Sequence, residues 1–177
     1  MDTPFMEQAA QALSQAGLRV FRYEFAYMAA RRHSGKRPPP SRFEKLQEEL
    51  AQLWQDWKVS GPRYLGGKSL GSRVSISMAS RLGAAGAIAL GYPFHPPGKP
   101  ESIRMAPFEN LTCQVLILQG TRDPFGTPAD VAEYSLPDRV TIHWVSGGNH
   151  DLLVRKTDPE PFTQVREAVA RWLPKGD

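Results

Sequence analysis

The segment RYLGGKSLG, residues 63–71, joins a short strand pattern to a glycine-rich turn. Residues 73–82 follow with a pattern that predicts a helix, and Gly83 ends it. The turn contains G-x-S-x-G, in which small residues two before and two after Ser69 relieve crowding in a sharp strand-to-helix turn. Such a turn lifts the hydroxyl above the sheet, and the new helix directs its first amides at developing negative charge. The spacing therefore predicts a nucleophilic serine.

The same turn allows two other interpretations. Ser69 can be an ordinary N-cap residue at the start of the helix. The GKS of residues 67–69 also resembles the end of a phosphate-binding loop, G-x-x-x-x-G-K-S. That motif requires its first glycine at position 62, which is a proline, and Gly61 lies one residue too far away. The spacing therefore disfavours nucleotide binding.

The rest of the chain alternates between helical and strand patterns. Apolar residues recur at helical spacing in three segments: residues 4–16, 43–57 and 162–172. Continuous apolar runs over residues 84–91 and 115–118 are typical of strands buried on both faces of a parallel sheet. Residues 140–144 alternate as a half-buried strand, and residues 18–25 are rich enough in aromatic and β-branched residues to predict another. The alternation of strand patterns with helical patterns predicts a doubly wound, mostly parallel sheet with helices on both faces.

Composition restricts the class of protein. The chain has 177 residues, 41% of them hydrophobic and 23% charged, which predicts one globular domain over residues 1–177. The sequence contains no apolar run near the roughly 18 residues that span a bilayer, so we expect no membrane partner. The first residues do not resemble a signal peptide. Cys113 is the only cysteine, which excludes an internal disulfide and favours a cytoplasmic location.

The charge balance is mildly basic, with a net charge of +4 and an isoelectric point near 9.4. The positive charge concentrates in residues 31–37, which three prolines follow. We interpret this segment as a solvated loop; a patch that steers an anionic substrate or partner is the alternative. The sequence carries no RNP, KH or zinc-finger pattern, so we expect no nucleic-acid partner.

A serine in such a turn needs a base and an acid, in the chain order serine, then Asp or Glu, then histidine. Asp123 comes just after the strand predicted over residues 115–118, and His150 comes just after the strand predicted over residues 140–145. Because parallel strands end at one edge of a sheet, both side chains are expected beside Ser69. The alternative for Asp123 is a turn residue, since aspartate before proline is common in turns.

The other histidines are weaker candidates for the base. His33 lies in the basic segment before the serine, and His143 lies within a strand, out of phase with its apolar neighbours. His95 follows a strand and is expected to line the site, but it precedes Asp123 and so breaks the expected order. His150 is therefore the predicted base.

Several segments together carry a resemblance to a known family: MDTPFM, RYEFAYMAARR, KRPPP, GGKSLGSR, GYPFHPPGKPE, LILQGTRDPFG and GGNHDL. Over nearly its whole length the chain resembles the α/β-hydrolase-like family related to dienelactone hydrolases. That family includes bacterial stand-alone proteins and a domain in a subunit of a nuclear histone-acetyltransferase complex. The resemblance implies the α/β-hydrolase fold and a triad of Ser69, Asp123 and His150.

The chemistry implied is acyl transfer from a small ester to water, with the Leu70 amide stabilising the oxyanion. Lys68 is expected either at the surface or in contact with an anionic substrate. The sequence shows no metal-ligand cluster and no dinucleotide fingerprint, so we expect neither metal nor cofactor. Some family members act as scaffolds, which makes a non-catalytic interaction domain the alternative.

One feature departs from the family pattern. Members usually carry, just before the MDTPFM-like segment, a strand ending in a His-Gly-x-Gly-type loop that gives a second oxyanion amide, and residues 1–177 lack it. A missing strand between residues 18–25 and the strand before Ser69 would leave backbone groups unpaired at a cost of several kcal/mol. We therefore expect that the natural polypeptide starts upstream and that Met1 is internal. One missing oxyanion donor also predicts turnover reduced by about 10²–10³-fold.

Overall fold

A computed structural model describes residues 2–35, 39–154 and 160–174. Its helices are α1 (Pro4–Gln15), α2 (Ala26–Ser34), α3 (Phe43–Asp56), α4 (Leu70–Ala79), α5 (Pro128–Ala132) and α6 (Glu160–Trp172), with a 3₁₀ turn at Ala106–Phe108. Its strands are β1 (Tyr64–Lys68), β2 (Gly86–Leu90), β3 (Gln114–Gly120) and β4 (Val140–Val145). Within the described ranges no helix is long and apolar enough to cross a membrane.

The strands form one parallel sheet in the order β1-β2-β3-β4. Lys68 at the end of β1 lies opposite Leu90 of β2, and Leu90 lies opposite Leu118 of β3. Leu118 in turn lies opposite His143 of β4. The carboxyl ends of all four strands therefore meet at one edge, where each following loop begins.

Both faces of the sheet are covered, which confirms the predicted layered α/β fold. Ala87 and Ala89 of β2 face a cluster that includes residues of α3 and α4. Ile88 and Leu90 face the opposite cluster, which includes residues of α1 and α6. All five residues of β2 are buried, which explains its continuous apolar pattern. Burying side chains such as Ile88 and Leu90 contributes about 1.5–3 kcal/mol each.

Local signals explain where the first helix begins and how the third packs. The Thr3 hydroxyl accepts a hydrogen bond from the Met6 amide at 3.3 Å, and Pro4 occupies the first helical position. Helix α3 buries Leu46 and Leu50, one turn apart on the apolar face that the spacing predicts. Helix α4 begins at Leu70, three residues before the predicted start, because the glycine-rich turn enters the helix directly.

The strand predicted over residues 18–25 is wrong. The segment pairs with no strand among the described residues, so β1 is an edge of the sheet and no gap separates it from a further strand. Its aromatic residues alternate because they pack against helices: the Tyr23 hydroxyl donates to the Glu49 carboxylate of α3 at 3.1 Å. The rings of Tyr23 and Phe25 are also in edge contact, with centroids 5.1 Å apart. Aromatic and β-branched residues therefore indicate half-burial here and not a hydrogen-bonded strand.

The basic segment is not simply a loop. Arg31 belongs to α2, and the helix ends at Gly35, which takes a left-handed conformation with φ of 66°. The prediction missed this helix because its apolar stripe is weak and its end is rich in charge. Residues 36–37, the rest of the predicted loop, lie outside the described residues, as do Pro38 and Met1.

Candidate active site

Ser69 occupies the turn between β1 and α4 in an unusual backbone conformation. Its φ is 53° and its ψ is −115°, values that a residue with a Cβ atom rarely adopts. The Ser69 amide donates to the Leu90 carbonyl at 3.2 Å, which extends the β1–β2 pairing into the turn. A Cβ atom at Gly67 would overlap the backbone of Gly71, so the sharp turn requires a glycine there. This geometry matches the sharp strand-to-helix turn that the G-x-S-x-G spacing predicts.

The Ser69 hydroxyl is not used to cap the helix. Ser69 is the N-cap residue of α4, yet its side chain makes no capping hydrogen bond. Its carbonyl instead accepts from the Ser72 hydroxyl at 2.6 Å. The amides of Leu70 and Gly71 lie in the first turn of the helix, where no intrahelical acceptor exists. The turn therefore presents a hydroxyl together with helical amides that can receive negative charge.

Asp123 and His150 form a close pair at the same edge of the sheet. The Nδ1 atom of His150 lies 2.8 Å from the Oδ2 atom of Asp123. Asp123 is fully buried, and its Oδ1 atom accepts from the Phe125 amide at 2.9 Å. The Phe125 ring lies against the imidazole, with centroids 4.3 Å apart. A donating Nδ1–H would leave Nε2 as the basic nitrogen of the ring.

Gln119, the penultimate residue of β3, also holds the acid in place. Its side-chain nitrogen lies 2.9 Å from the Oδ2 atom of Asp123, and its side-chain oxygen accepts from the Tyr92 amide at 2.8 Å. The same nitrogen lies 3.1 Å from the Tyr92 carbonyl. Motif spacing did not predict a role for Gln119. The signal that the sequence offers is a polar amide side chain within a mostly apolar strand, four residues before the acid.

Ser69 and His150 both lie against the end of β2. A Cβ atom at Gly91 would lie 2.7 Å from the His150 carbonyl oxygen and 3.3 Å from its Nδ1 atom. The Ser69 amide is hydrogen-bonded to the carbonyl of Leu90, the residue before Gly91. Ser69 and His150 therefore contact adjacent residues of the same backbone segment. The Nε2 atom of His150 is buried and has no hydrogen-bond partner among the described residues, so it does not bond to Ser69.

Lys68 and His95, the two candidate substrate contacts, are both engaged with aspartates. The Lys68 ammonium lies 2.7 Å from the Oδ1 atom of Asp151, so its charge is already paired. His95 is buried: its Nδ1 atom lies 2.8 Å from the Pro96 carbonyl, and its Nε2 atom lies 3.5 Å from Asp130. A substrate contact by either side chain would have to compete with these partners.

The electrostatics near His95 are set by the start of α5. The hydroxyl and amide of Thr127 donate to the Asp130 carboxylate and hold its pKa below the ordinary value, and His95 adds to the effect. Elsewhere, burial lowers the pKa of His143. Within the described part of the chain, His, Cys, Asp and Glu side chains do not gather in groups of three that could hold a metal ion.

The comparisons with known proteins agree with this architecture. A family model described as an alpha/beta hydrolase domain matches residues 1–174, and the chain belongs to that family. None of the curated protein sequences is a significant match.

Solved structures with the same fold come from several bacteria. An α/β serine hydrolase without a lid from Xanthomonas campestris is 20% identical with a TM-score of 0.69; the match covers 100% of this chain and 77% of that one. The esterase domain of a Rhodothermus marinus protein is 14% identical with a TM-score of 0.67, covering 95% and 79%. An α/β serine hydrolase homologue from Coxiella burnetii is 20% identical with a TM-score of 0.60, covering 98% and 78%. At these identities the likeness concerns the fold.

Proposed function

We propose that this protein is a serine hydrolase that cleaves a small ester or related acyl substrate. The observation that carries the proposal is the 2.8 Å contact between His150 and the buried Asp123, at the edge of the sheet where Ser69 occupies a strained turn. The names of the neighbouring structures, serine hydrolase and esterase, agree with this chemistry. The resemblance to dienelactone hydrolases favours small substrates.

In the first half of the reaction, the Ser69 oxygen bonds to the ester carbonyl carbon as its proton passes to Nε2 of His150. The carbon–alkoxide bond then breaks, and the alcohol leaves with that proton. In the second half, water attacks the acyl-enzyme and gives its proton to His150, which returns a proton to Ser69 as the acid leaves. Asp123 keeps the Nδ1 proton in place and stabilises the imidazolium.

The oxyanion of each tetrahedral intermediate needs backbone donors. We assign the Leu70 amide, since it lies next to Ser69 at the start of α4. The buried, unpartnered Nε2 atom of His150 supports its role as the base, because an acceptor there suits a hydroxyl proton. The proposal requires a hydrogen bond between Ser69 and this Nε2 atom when the proton is transferred.

A fluorophosphonate probe tests the proposal directly, since it reacts with activated serines. We expect labelling of the full chain that disappears in Ser69→Ala and falls strongly in His150→Gln. Ser77→Ala, which alters a hydroxyl elsewhere on α4, is the matched control and should label normally. Hydrolysis of p-nitrophenyl esters of increasing acyl length would then define the substrate size.

The alternative is a non-catalytic interaction domain that keeps the hydrolase fold. A folded protein that neither labels with the probe nor hydrolyses any ester of the panel would favour that alternative. Labelling that persists in Ser69→Ala would contradict the assignment of the nucleophile, whatever the activity.

A further inference from the structure

An ion pair joins the two segments that carry the proposed nucleophile and base. The Lys68 Nζ atom lies 2.7 Å from the Asp151 Oδ1 atom. Lys68 immediately precedes Ser69, and Asp151 immediately follows His150. Each charge is therefore one residue away from a group that would take part in the reaction.

This pair is the direct polar link between the nucleophile turn and the histidine segment. Among the described residues, no other hydrogen bond or ion pair joins residues 66–71 to residues 146–154. The remaining polar contacts of residues 146–154 run within that segment, to Val145 at the end of β4, or to residues 121–123, which follow β3. Asn149, for example, accepts from the Asp151 amide at 2.8 Å, and Arg122 donates to the Gly147 carbonyl at 2.7 Å.

The surroundings of Lys68 favour a fixed ammonium. Its side chain is 24% exposed, and the ammonium also lies 5.1 Å from the centre of the Phe5 ring. An ammonium near the face of an aromatic ring is attracted to it. The lysine is therefore held between the start of α1 and the histidine segment, with its charge balanced by Asp151.

We propose that Lys68 and Asp151 are a positioning pair that sets the separation and alignment of Ser69 and His150; this inference rests on the proposed function. The pair matters for geometry more than for folding, because exposed ion pairs contribute little to stability. A displacement of about 1 Å in a catalytic constellation can reduce rates by up to about 10²-fold. On this interpretation Lys68 does not bind the substrate.

A double-mutant cycle tests the pair. Lys68→Met and Asp151→Asn keep the approximate size of each side chain and remove its charge. For a neutral ester such as p-nitrophenyl butyrate, we expect each to lower kcat by about 10-fold and to change KM by less than about twofold. The double variant should be no slower than either single variant, because both remove the same interaction.

Matched variants control for charge and fold. Lys45→Met and Asp138→Asn alter exposed residues away from the pair and should keep kcat within about twofold of the wild type. Lys68→Arg keeps the cation and should retain more activity than Lys68→Met. Circular dichroism and thermal unfolding should show that the variants are folded.

Three results would overturn the proposal. The first is an unchanged kcat in Lys68→Met and Asp151→Asn. The second is a double variant whose fold-reduction in kcat equals the product of the reductions in the two single variants. The third is a rise in KM confined to Lys68→Met and to an anionic ester such as p-nitrophenyl hemisuccinate, which would assign Lys68 to substrate binding instead.

Amide hydrogen exchange separates this inference from the proposed function. The amides of Asn149 and Leu152 are hydrogen-bonded within the histidine segment, and we expect faster exchange in both single variants. A wild-type protein that the fluorophosphonate does not label contradicts the proposed function, while the exchange result still decides whether the pair holds the segment. A labelled protein with unchanged kcat and exchange contradicts the pair alone.

Discussion

Two histidine–aspartate pairs lie at the carboxyl edge of the sheet, and they differ in which ring nitrogen faces the carboxylate. His150 turns Nδ1 toward Asp123 at 2.8 Å and leaves Nε2 without a hydrogen-bond partner among the described residues. His95 turns Nε2 toward Asp130 at 3.5 Å and Nδ1 toward the Pro96 carbonyl at 2.8 Å. Neither Nε2 atom makes a hydrogen bond among the described residues, but that of His95 faces a carboxylate, whereas that of His150 has no acidic partner.

The two carboxylates also have different surroundings. The Asp123 side chain is 0% exposed and is fixed by Gln119 and the Phe125 amide. The Asp130 side chain is 30% exposed and completes a capping box with Thr127 at the start of α5. Proximity of a histidine and an aspartate is thus a weak sign of catalysis. A buried carboxylate that faces Nδ1, and so leaves Nε2 turned away from it, is a stronger one.

The largest difference between the pairs should appear when each aspartate loses its charge. We expect Asp123→Asn to lower kcat by about 10⁴-fold, because an amide at this position favours the wrong imidazole tautomer. Asp130→Asn should change kcat by less than about twofold, since that pair does not touch the proposed nucleophile. Steady-state ester hydrolysis measures both. Equal losses in the two variants would contradict the distinction.

The next prediction concerns Gly91, the glycine that lets the segment carrying His150 approach the end of β2. We expect Gly91→Ala to destabilise the protein by about 2–5 kcal/mol, because it combines a left-handed φ of 64° with a Cβ atom 2.7 Å from the His150 carbonyl. Gly98→Ala is the control: its φ is 73°, but a Cβ atom there meets nothing within 4 Å. It should cost only the strain, about 1–2 kcal/mol.

Urea unfolding measures both free energies. The difference between the two variants isolates the contact with the histidine segment, and Gly91→Ala should also lose esterase activity at temperatures where it remains folded. Similar free energies of unfolding for the two variants would show that the segment can move aside without cost.

The sequence predicted the framework of the site because its signals are local. The G-x-S-x-G turn lies between a strand pattern and a helix pattern, and the structure gives Ser69 the positive φ of such a turn. Asp123 follows an apolar strand and His150 follows a half-buried one, and parallel strands bring their ends to one edge. A continuous apolar run also predicted β2, and apolar residues at helical spacing predicted α3.

The remaining features depend on which side chains meet in three dimensions. Nothing in the spacing says that Gln119 bonds to both Tyr92 and Asp123, or that Lys68 pairs with Asp151. The strand predicted over residues 18–25 is wrong for a related reason. Aromatic and β-branched residues suit any half-buried segment, whereas a strand also needs a neighbouring backbone with which to form hydrogen bonds.

The smallest difference between the pairs should appear in acid. Bonds from Thr127, assisted by His95, hold the pKa of Asp130 in the folded protein below its ordinary 3.8, so the folded state binds this proton more weakly than the unfolded chain. Its contribution to the free energy of unfolding is therefore complete above about pH 4 and is lost as the pH falls through the folded-state pKa. Asp130→Asn should be less stable than the wild type by about 1 kcal/mol at pH 6, the usual contribution of a helix cap. In urea unfolding between pH 6 and pH 3, the difference in the free energy of unfolding between the wild type and Asp130→Asn should become smaller at the acid end. A difference that stays constant would mean that the carboxylate stabilises α5 through its shape and not through its charge.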